Sequence, residues 1–141
     1  MGAAPVRHRY RASMRWSDMD AYGHVNNVVF LTYLEESRVD MLLALGAEHG
    51  LDALAKGVLV ARHEIDYKAP LVYHQRGVDI DLWVGAIKGA SFEIRYEVHD
   101  EDTVFAHAAS LLVTYDLDAG RPRRVSPEER SFLEQYAAPP A

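Results

Sequence analysis

The sequence predicts an α+β fold in which a curved antiparallel sheet of about five strands wraps one long helix. Three observations lead there. Apolar residues keep a long helical spacing in one stretch only, at Leu31, Leu34, Met41, Leu42 and Leu45. Four later stretches alternate apolar and polar side chains with the period of a strand, and turn residues part them. The chain's 141 residues, 49% hydrophobic and 26% charged, suffice for one buried core and hardly for two, so residues 1–141 are read as a single domain.

Residues 10–16 read as the first strand, and a polar, turn-prone segment follows over residues 17–24. The long helix starts near Asn26 or Asn27, either of which can cap it, and Gly46 is the expected stop. Glu35 and Arg38 lie on or beside its apolar stripe, three residues apart, and are expected to form a buried pair. An irregular stretch runs to Gly57. Then Leu59, Ala61, His63, Ile65 and Tyr67 share one strand face, with Arg62, Glu64, Asp66 and Lys68 on the other, and Pro70 ends or bends the strand. Val78, Ile80, Leu82, Val84 and Ala86 mark the next strand, and Phe92, Ile94, Tyr96 and Val98 the one after the Lys88-Gly89 turn. Trp83, Phe92 and Tyr96 are assigned to sheet packing. Asp100, Glu101 and Asp102 turn the chain into a long strand over residues 103–116. After a loop, Ser126 caps a final helix with Pro127 at its first position and Glu128 and Glu129 in its first turn. Residues 1–9 and 137–141 are expected to be flexible ends.

Composition narrows the chemistry. With no cysteine, disulfides, thiolate metal sites and a cysteine nucleophile are excluded. Fifteen Lys and Arg against twenty-one Asp and Glu give a net charge of −6, which argues against nucleic acid as a partner. The apolar runs are too short for a signal peptide or a bilayer span, so no membrane role and a cytoplasmic setting are expected. The seven histidines (His8, His24, His49, His63, His74, His99 and His107) show no close ligand spacing, and no metal site is expected.

The most informative segment is residues 18–27, Asp-Met-Asp-Ala-Tyr-Gly-His-Val-Asn-Asn. It sets carboxylates, a glycine and a histidine in a loop that runs into a helix N-terminus. Such a terminus offers unpaired N–H groups and partial positive charge, which can hold a developing oxyanion while a nearby carboxylate attacks or activates water. Gly23 would let the backbone approach a ligand closely. On spacing alone, turn and cap hydrogen bonds are the commoner use of Asp18, Asp20 and Asn26.

Asp18, Asp20, Gly23, Val25, Phe30, Glu35 and Arg38 together resemble the hot-dog-fold acyl-CoA thioesterases of the 4-hydroxybenzoyl-CoA thioesterase type. The likeness extends through Ile65-Asp66-Tyr67 with Pro70, Ser91 with Glu93, Thr114-Tyr115-Asp116 and the segment from Pro122 to Pro127. His24-Val25-Asn26-Asn27 is similar to a segment of acyl-carrier-protein thioesterases of the same fold, although Tyr22 stands where that group has an asparagine. The resemblance implies Asp20 as catalytic base or nucleophile, the Asn27 N–H as oxyanion donor and His24 as an assisting group. Gly23, Val25, His63, Lys68 and Arg95 are the candidate substrate-binding residues. A histidine on an apolar strand face is more often an interior one, but His63 can line the acyl pocket, and the strands offer Arg62, Lys68, Arg76, Lys88 and Arg95 as cations for the coenzyme phosphates. The substrate would be an acyl-CoA or acyl-carrier-protein thioester. No cofactor is required, coenzyme A being part of the substrate. The family also implies a homodimer or homotetramer with sites between subunits. Two other functions fit the same fold. One is a non-catalytic acyl-thioester-binding protein; the other is a hydratase or dehydratase, whose motif has a proline and a histidine one residue later than His24.

Overall fold

The computed structural model describes residues 5–48, 50 and 57–137. His49, most of the irregular stretch before Gly57, residues 1–4 and 138–141 of the two ends, and the side chain of Leu45 lie outside the described residues. β1 (His8–Ala12) leads through a 3-10 turn (Trp16–Asp18) to α1 (Asn27–Val39). A π-helical stretch (Asp40–Leu45) carries α1 on into α2 (Gly46–Glu48). Then come β2 (Val58–Tyr67), β3 (Val78–Ile87), β4 (Ser91–His99), β5 (Val104–Asp116), the two-residue β6 (Arg121–Pro122) and α3 (Pro127–Glu134). All strand pairs are antiparallel, in the order β1-β3-β4-β5-β2, and β6 adds to β5. No helix among the described residues is long and apolar enough to cross a membrane.

The core forms where α1 meets the inner face of the sheet. Phe30, Tyr33, Leu34, Met41 and Leu42 are buried against Ile80 and Leu82 of β3, Phe92, Ile94 and Tyr96 of β4, and Leu112 of β5. The helix packs mainly across β1 and β3, and its first turn meets the end of β2, the far edge of the sheet, through Tyr67. That contact matters for the site.

Three expectations need correction. β1 starts at His8 and ends at Ala12, so it takes in part of the end expected to be flexible. It stops early because Asp18 accepts from the N–H and guanidinium of Arg15, folding residues 15–18 into the 3-10 turn. His8 and Arg9 are held by Asp40 and Asp81. Gly46 is no stop: it is buried with φ −58°, an ordinary helical value, and the helix passes through it.

The third correction is in β2. Its pairing with β5 slips between Val60 and Arg62, so Ala61 is the extra residue of a bulge. The bulge changes which residues point inward. Val58 and Val60 face the core side opposite Thr114 and Leu112, and His63, Ile65 and Tyr67 follow opposite Ser110, Ala108 and Ala106. Leu59, opposite Val113, is turned to the other face.

α3 begins as expected. The Ser126 hydroxyl accepts from the Glu129 N–H at 3.1 Å and the Glu129 carboxylate accepts from the Ser126 N–H at 2.8 Å. The same carboxylate, fully buried, takes both guanidinium branches of Arg123 at 2.7 and 2.9 Å.

Candidate active site

The loop between β1 and α1 is anchored by Asp18, which is 2% exposed. Its carboxylate accepts from the Arg15 N–H at 2.9 Å, Arg15 Nε at 3.0 Å and the Tyr33 hydroxyl at 2.7 Å. Burial pushes this carboxyl up, but those bonds outweigh it and hold the group below the usual carboxylate range. The Asp18 carbonyl accepts from the Asn26 N–H at 3.0 Å, tying the loop to the helix start. Asp18 is thus consumed by structure.

Asp20 has a different setting. Its N–H donates to the His24 carbonyl and its carbonyl accepts from the Gly23 N–H, both at 3.0 Å. Gly23, at φ +77°, makes this tight reversal possible. The half-buried carboxylate accepts from the Tyr22 N–H on Oδ1 at 2.9 Å and from Asn26 Nδ2 on Oδ2 at 3.1 Å. Asn26 is also the N-cap of α1, its Oδ1 accepting from the Val28 N–H at 2.9 Å. One amide therefore caps the helix with its oxygen and holds Asp20 with its nitrogen.

With Asn26 as cap, Asn27 is the first helical residue. Its N–H has no acceptor among the described residues, while its carbonyl accepts from the Tyr67 hydroxyl at 2.9 Å. Val25, Asn27, Phe30, Tyr67, Lys68 and Leu71 line a cavity of about 290 Å³ beside this open donor. The Tyr67 ring packs edge-on against Phe30 at 5.3 Å. Of the residues singled out in the sequence, Val25, Asn27 and Lys68 meet at this cavity. Asp20, Gly23 and His24 share the loop leading into it, with His24 exposed. Arg95 lies on the opposite face of the sheet, its Nε on Glu93 at 2.7 Å, so within one chain it is not at the cavity.

His63, itself exposed, is the outer end of a chain of hydrogen bonds that starts at buried Arg38. Arg38 Nη1 donates to the Tyr96 hydroxyl at 3.1 Å, which donates to Ser110 Oγ at 2.8 Å, and Ser110 Oγ lies 2.7 Å from His63 Nδ1. The Ser110 hydroxyl, which accepts from Tyr96, can either donate to Nδ1 or accept from it, so the contact holds either tautomer of His63. Burial lowers the His63 pKa, the Arg38 charge lowers it further, and Glu35 only partly opposes them. The expected Glu35–Arg38 pair does not form. Arg38 is buried and bonded to Tyr96, whereas Glu35 is exposed, because the helix turns the two residues to different sides of its stripe.

Several members of this arrangement were not singled out in the sequence. Tyr67 closes the cavity, and its place at the end of an inward strand face was the available signal. Ser110 is a hydroxyl on the inner face of an otherwise apolar strand, a mark of a buried polar contact. Asp81, Glu97 and His99 gather by strand pairing rather than by spacing, their ligand atoms lying within 4.8 Å of one another. Arg9 already holds Asp81 at 2.7 and 3.2 Å, and His99 Nε2 is 3.1 Å from it, so these groups serve an ion-pair network on the outer face.

Residues 14–135 match the model of the thioesterase-like superfamily. No curated protein matches the chain. Among solved structures, a predicted thioesterase from Bacillus stearothermophilus superposes with a TM-score of 0.83 at 24% identity, over 96% of this chain and 100% of that one. A Pseudomonas aeruginosa protein, PA2801, described as a candidate thioesterase, is 31% identical over 88% of this chain and 95% of its own, with a TM-score of 0.76. A thioesterase from Thermus thermophilus, complexed with coenzyme A and Zn, is 28% identical over 89% of this chain and 90% of that one, with a TM-score of 0.71.

Proposed function

Since the chain belongs to the thioesterase-like superfamily and has its hot-dog fold, we propose that it hydrolyses acyl-CoA thioesters to a free acid and coenzyme A. The observation that carries this reading is the double use of Asn26, which fixes the Asp20 carboxylate at a helix start whose first N–H is open. The coenzyme A bound to the Thermus thermophilus relative supports the choice of thiol.

Asp20 acts as general base. Each of its oxygens already accepts one hydrogen bond, which damps direct attack but leaves lone pairs for a water proton. Water gives a proton to Asp20 as its oxygen bonds to the thioester carbon. The carbonyl oxygen takes up the negative charge and accepts from the Asn27 N–H, aided by the helix dipole. The intermediate then expels the thiolate, and the proton on Asp20 passes to sulfur. His24, exposed on the same loop, assists the leaving group, and Gly23 and Val25 give the thioester close access to the helix start. Lys68 at the cavity rim draws the coenzyme phosphates.

The working unit is a homodimer. β2 is an open edge whose residues are mostly exposed, among them Leu59 at 44%, Val60 at 41% and Tyr67 at 47%. A second copy laid against this edge would pair its free backbone groups and wall the cavity beside Tyr67. The decisive assay is thiol release from a panel of acyl-CoAs by the wild type and by Asp20→Asn. A loss of at least about a hundredfold is expected, since the variant keeps one of the two acceptor oxygens but has no base. Equal rates would remove Asp20 from the reaction.

A further inference from the structure

Arg38 is buried, and its one hydrogen bond among the described residues is to the neutral hydroxyl of Tyr96. A buried cation calls for an anion, yet Arg38 forms no ion pair within the chain among the described residues. Glu35, one helical turn earlier, is the reverse case. It is an exposed carboxylate with no hydrogen bond or ion pair of its own among the described residues. The two line one cavity of about 240 Å³ between α1 and β2, together with Val39, Leu43, Val58 and Val60. Of these, Val39, Leu43 and Val60 are large apolar side chains left exposed. One face of the chain thus holds a cation without its anion, an anion without its cation, and aliphatic surface open to solvent.

The position of this face in the fold identifies what covers it. Hydrogen bonds lead from Arg38 through Tyr96 and Ser110 to His63, near the middle of β2 (Val58–Tyr67), and the charges of Glu35 and Arg38 both act on the His63 ring. Both charges therefore stand level with the middle of the sheet's open edge. When two copies pair antiparallel along the length of that edge, the two-fold axis passes the strand middle, and groups beside the axis meet the same groups of the other copy. That axis also reverses α1. Glu35 and Arg38 are three residues apart, about 4.5 Å along the helix, so reversal sets each opposite the other. A cation and an anion so placed are complementary to themselves.

We infer that the partner subunit's Glu35 supplies the anion for Arg38, and the reverse, so that two ion pairs flank the two-fold axis of a dimer joined along β2. This rests on the proposed dimer and adds the location of its axis. With the axis there, the Val58 end of one β2 lies beside the Tyr67 end of the other, and each cavity beside Asn27 gains a wall from a second chain.

Sedimentation of the full chain at micromolar concentration tests the pairing by exchange of charges. Glu35→Arg and Arg38→Glu each set like charges across the axis, and each alone should sediment as a monomer. Mixed in equal amounts, the two chains set opposite charges together at both positions and should recover the dimer. Thiol release from an acyl-CoA, lost in each variant alone, should return in the mixture. If Arg38→Glu does not fold, Glu35→Gln and Arg38→Gln carry the test. Each should weaken the dimer at least about tenfold, and both together no more than either alone, because the second change removes a charge already without its partner.

A dimer that no Glu35 variant weakens would overturn the inference and leave Arg38 to a carboxylate ligand. Losses that multiply in the double variant would overturn it, and so would a mixture of folded chains that stays monomeric. A monomeric wild type would overturn it too, while thiol release by that monomer would leave the Asp20 chemistry standing. A dimer recovered by mixing, with no thiol release by the wild type, would uphold the pairing and overturn the thioesterase reading.

Discussion

Replacing Asn26 by aspartate and by alanine separates two jobs that its amide does at once. Aspartate keeps an oxygen for the Val28 N–H and is itself a favoured N-cap, but it cannot donate to Asp20 and sets a second negative charge beside it. Asn26→Asp should therefore melt close to the wild type while thiol release falls at least about tenfold. Asn26→Ala should lose about 1 kcal/mol of stability as well as rate. Thermal melts run beside the thiol assay make the comparison; an aspartate variant with full activity would show that the Asn26–Asp20 bond is only structural. The same residue shows how far a side chain's use can be read in advance. Its capping role follows from a polar residue before an apolar helix. Its bond to Asp20 depends on the turn that Gly23 allows, which brings residues six apart in sequence into contact.

At the level of elements, α3 gives a test by pH. Burial pushes the Glu129 carboxyl up, but Arg123 and the Ser126 N–H outweigh it, so its pKa in the folded protein lies below the ordinary value. The unfolded chain then takes up a proton first as the pH falls. The stability contributed is fully present above the unfolded value of about 4.3 and is lost as pH falls through the folded one. Glu129→Gln should lower stability near neutral pH by about 2 kcal/mol. The gap to the wild type should narrow steadily in acid, as read from melting temperatures across the acid range; a constant gap would mean that the charge contributes nothing. α3 was legible because a capping box is local chemistry: Ser, Pro and Glu at fixed offsets. β2 was legible only as a strand. Its bulge at Ala61 arises from pairing with β5, and no residue type in β2 announces it, so the inward set was misplaced by one position at Leu59. The same holds for Glu35 and Arg38. Their spacing permitted a pair, but the lean of α1 towards β1 and β3 decided which of them was buried.

For the molecule as a whole, the sheet order leaves β2 with one side unpaired and Tyr67, a wall of the cavity, 47% exposed. The proposed dimer should sediment as such at micromolar concentration, and a stable monomer there would contradict a site closed by two chains. The fold class, the helix start and the position of Asp20 could be read from the sequence because each depends on neighbours along the chain. The Arg38-to-His63 hydrogen bonds and the outer-face ion pairs could not, because each joins elements that meet only once the sheet has formed. The open β2 edge has a further consequence. If pairing two chains completes both the sheet and the cavity, then folding free energy and catalytic competence share one association equilibrium. Dilution would then act as a mild denaturant and as an inhibitor at once, and the amount of this protein made would itself set the activity of each copy.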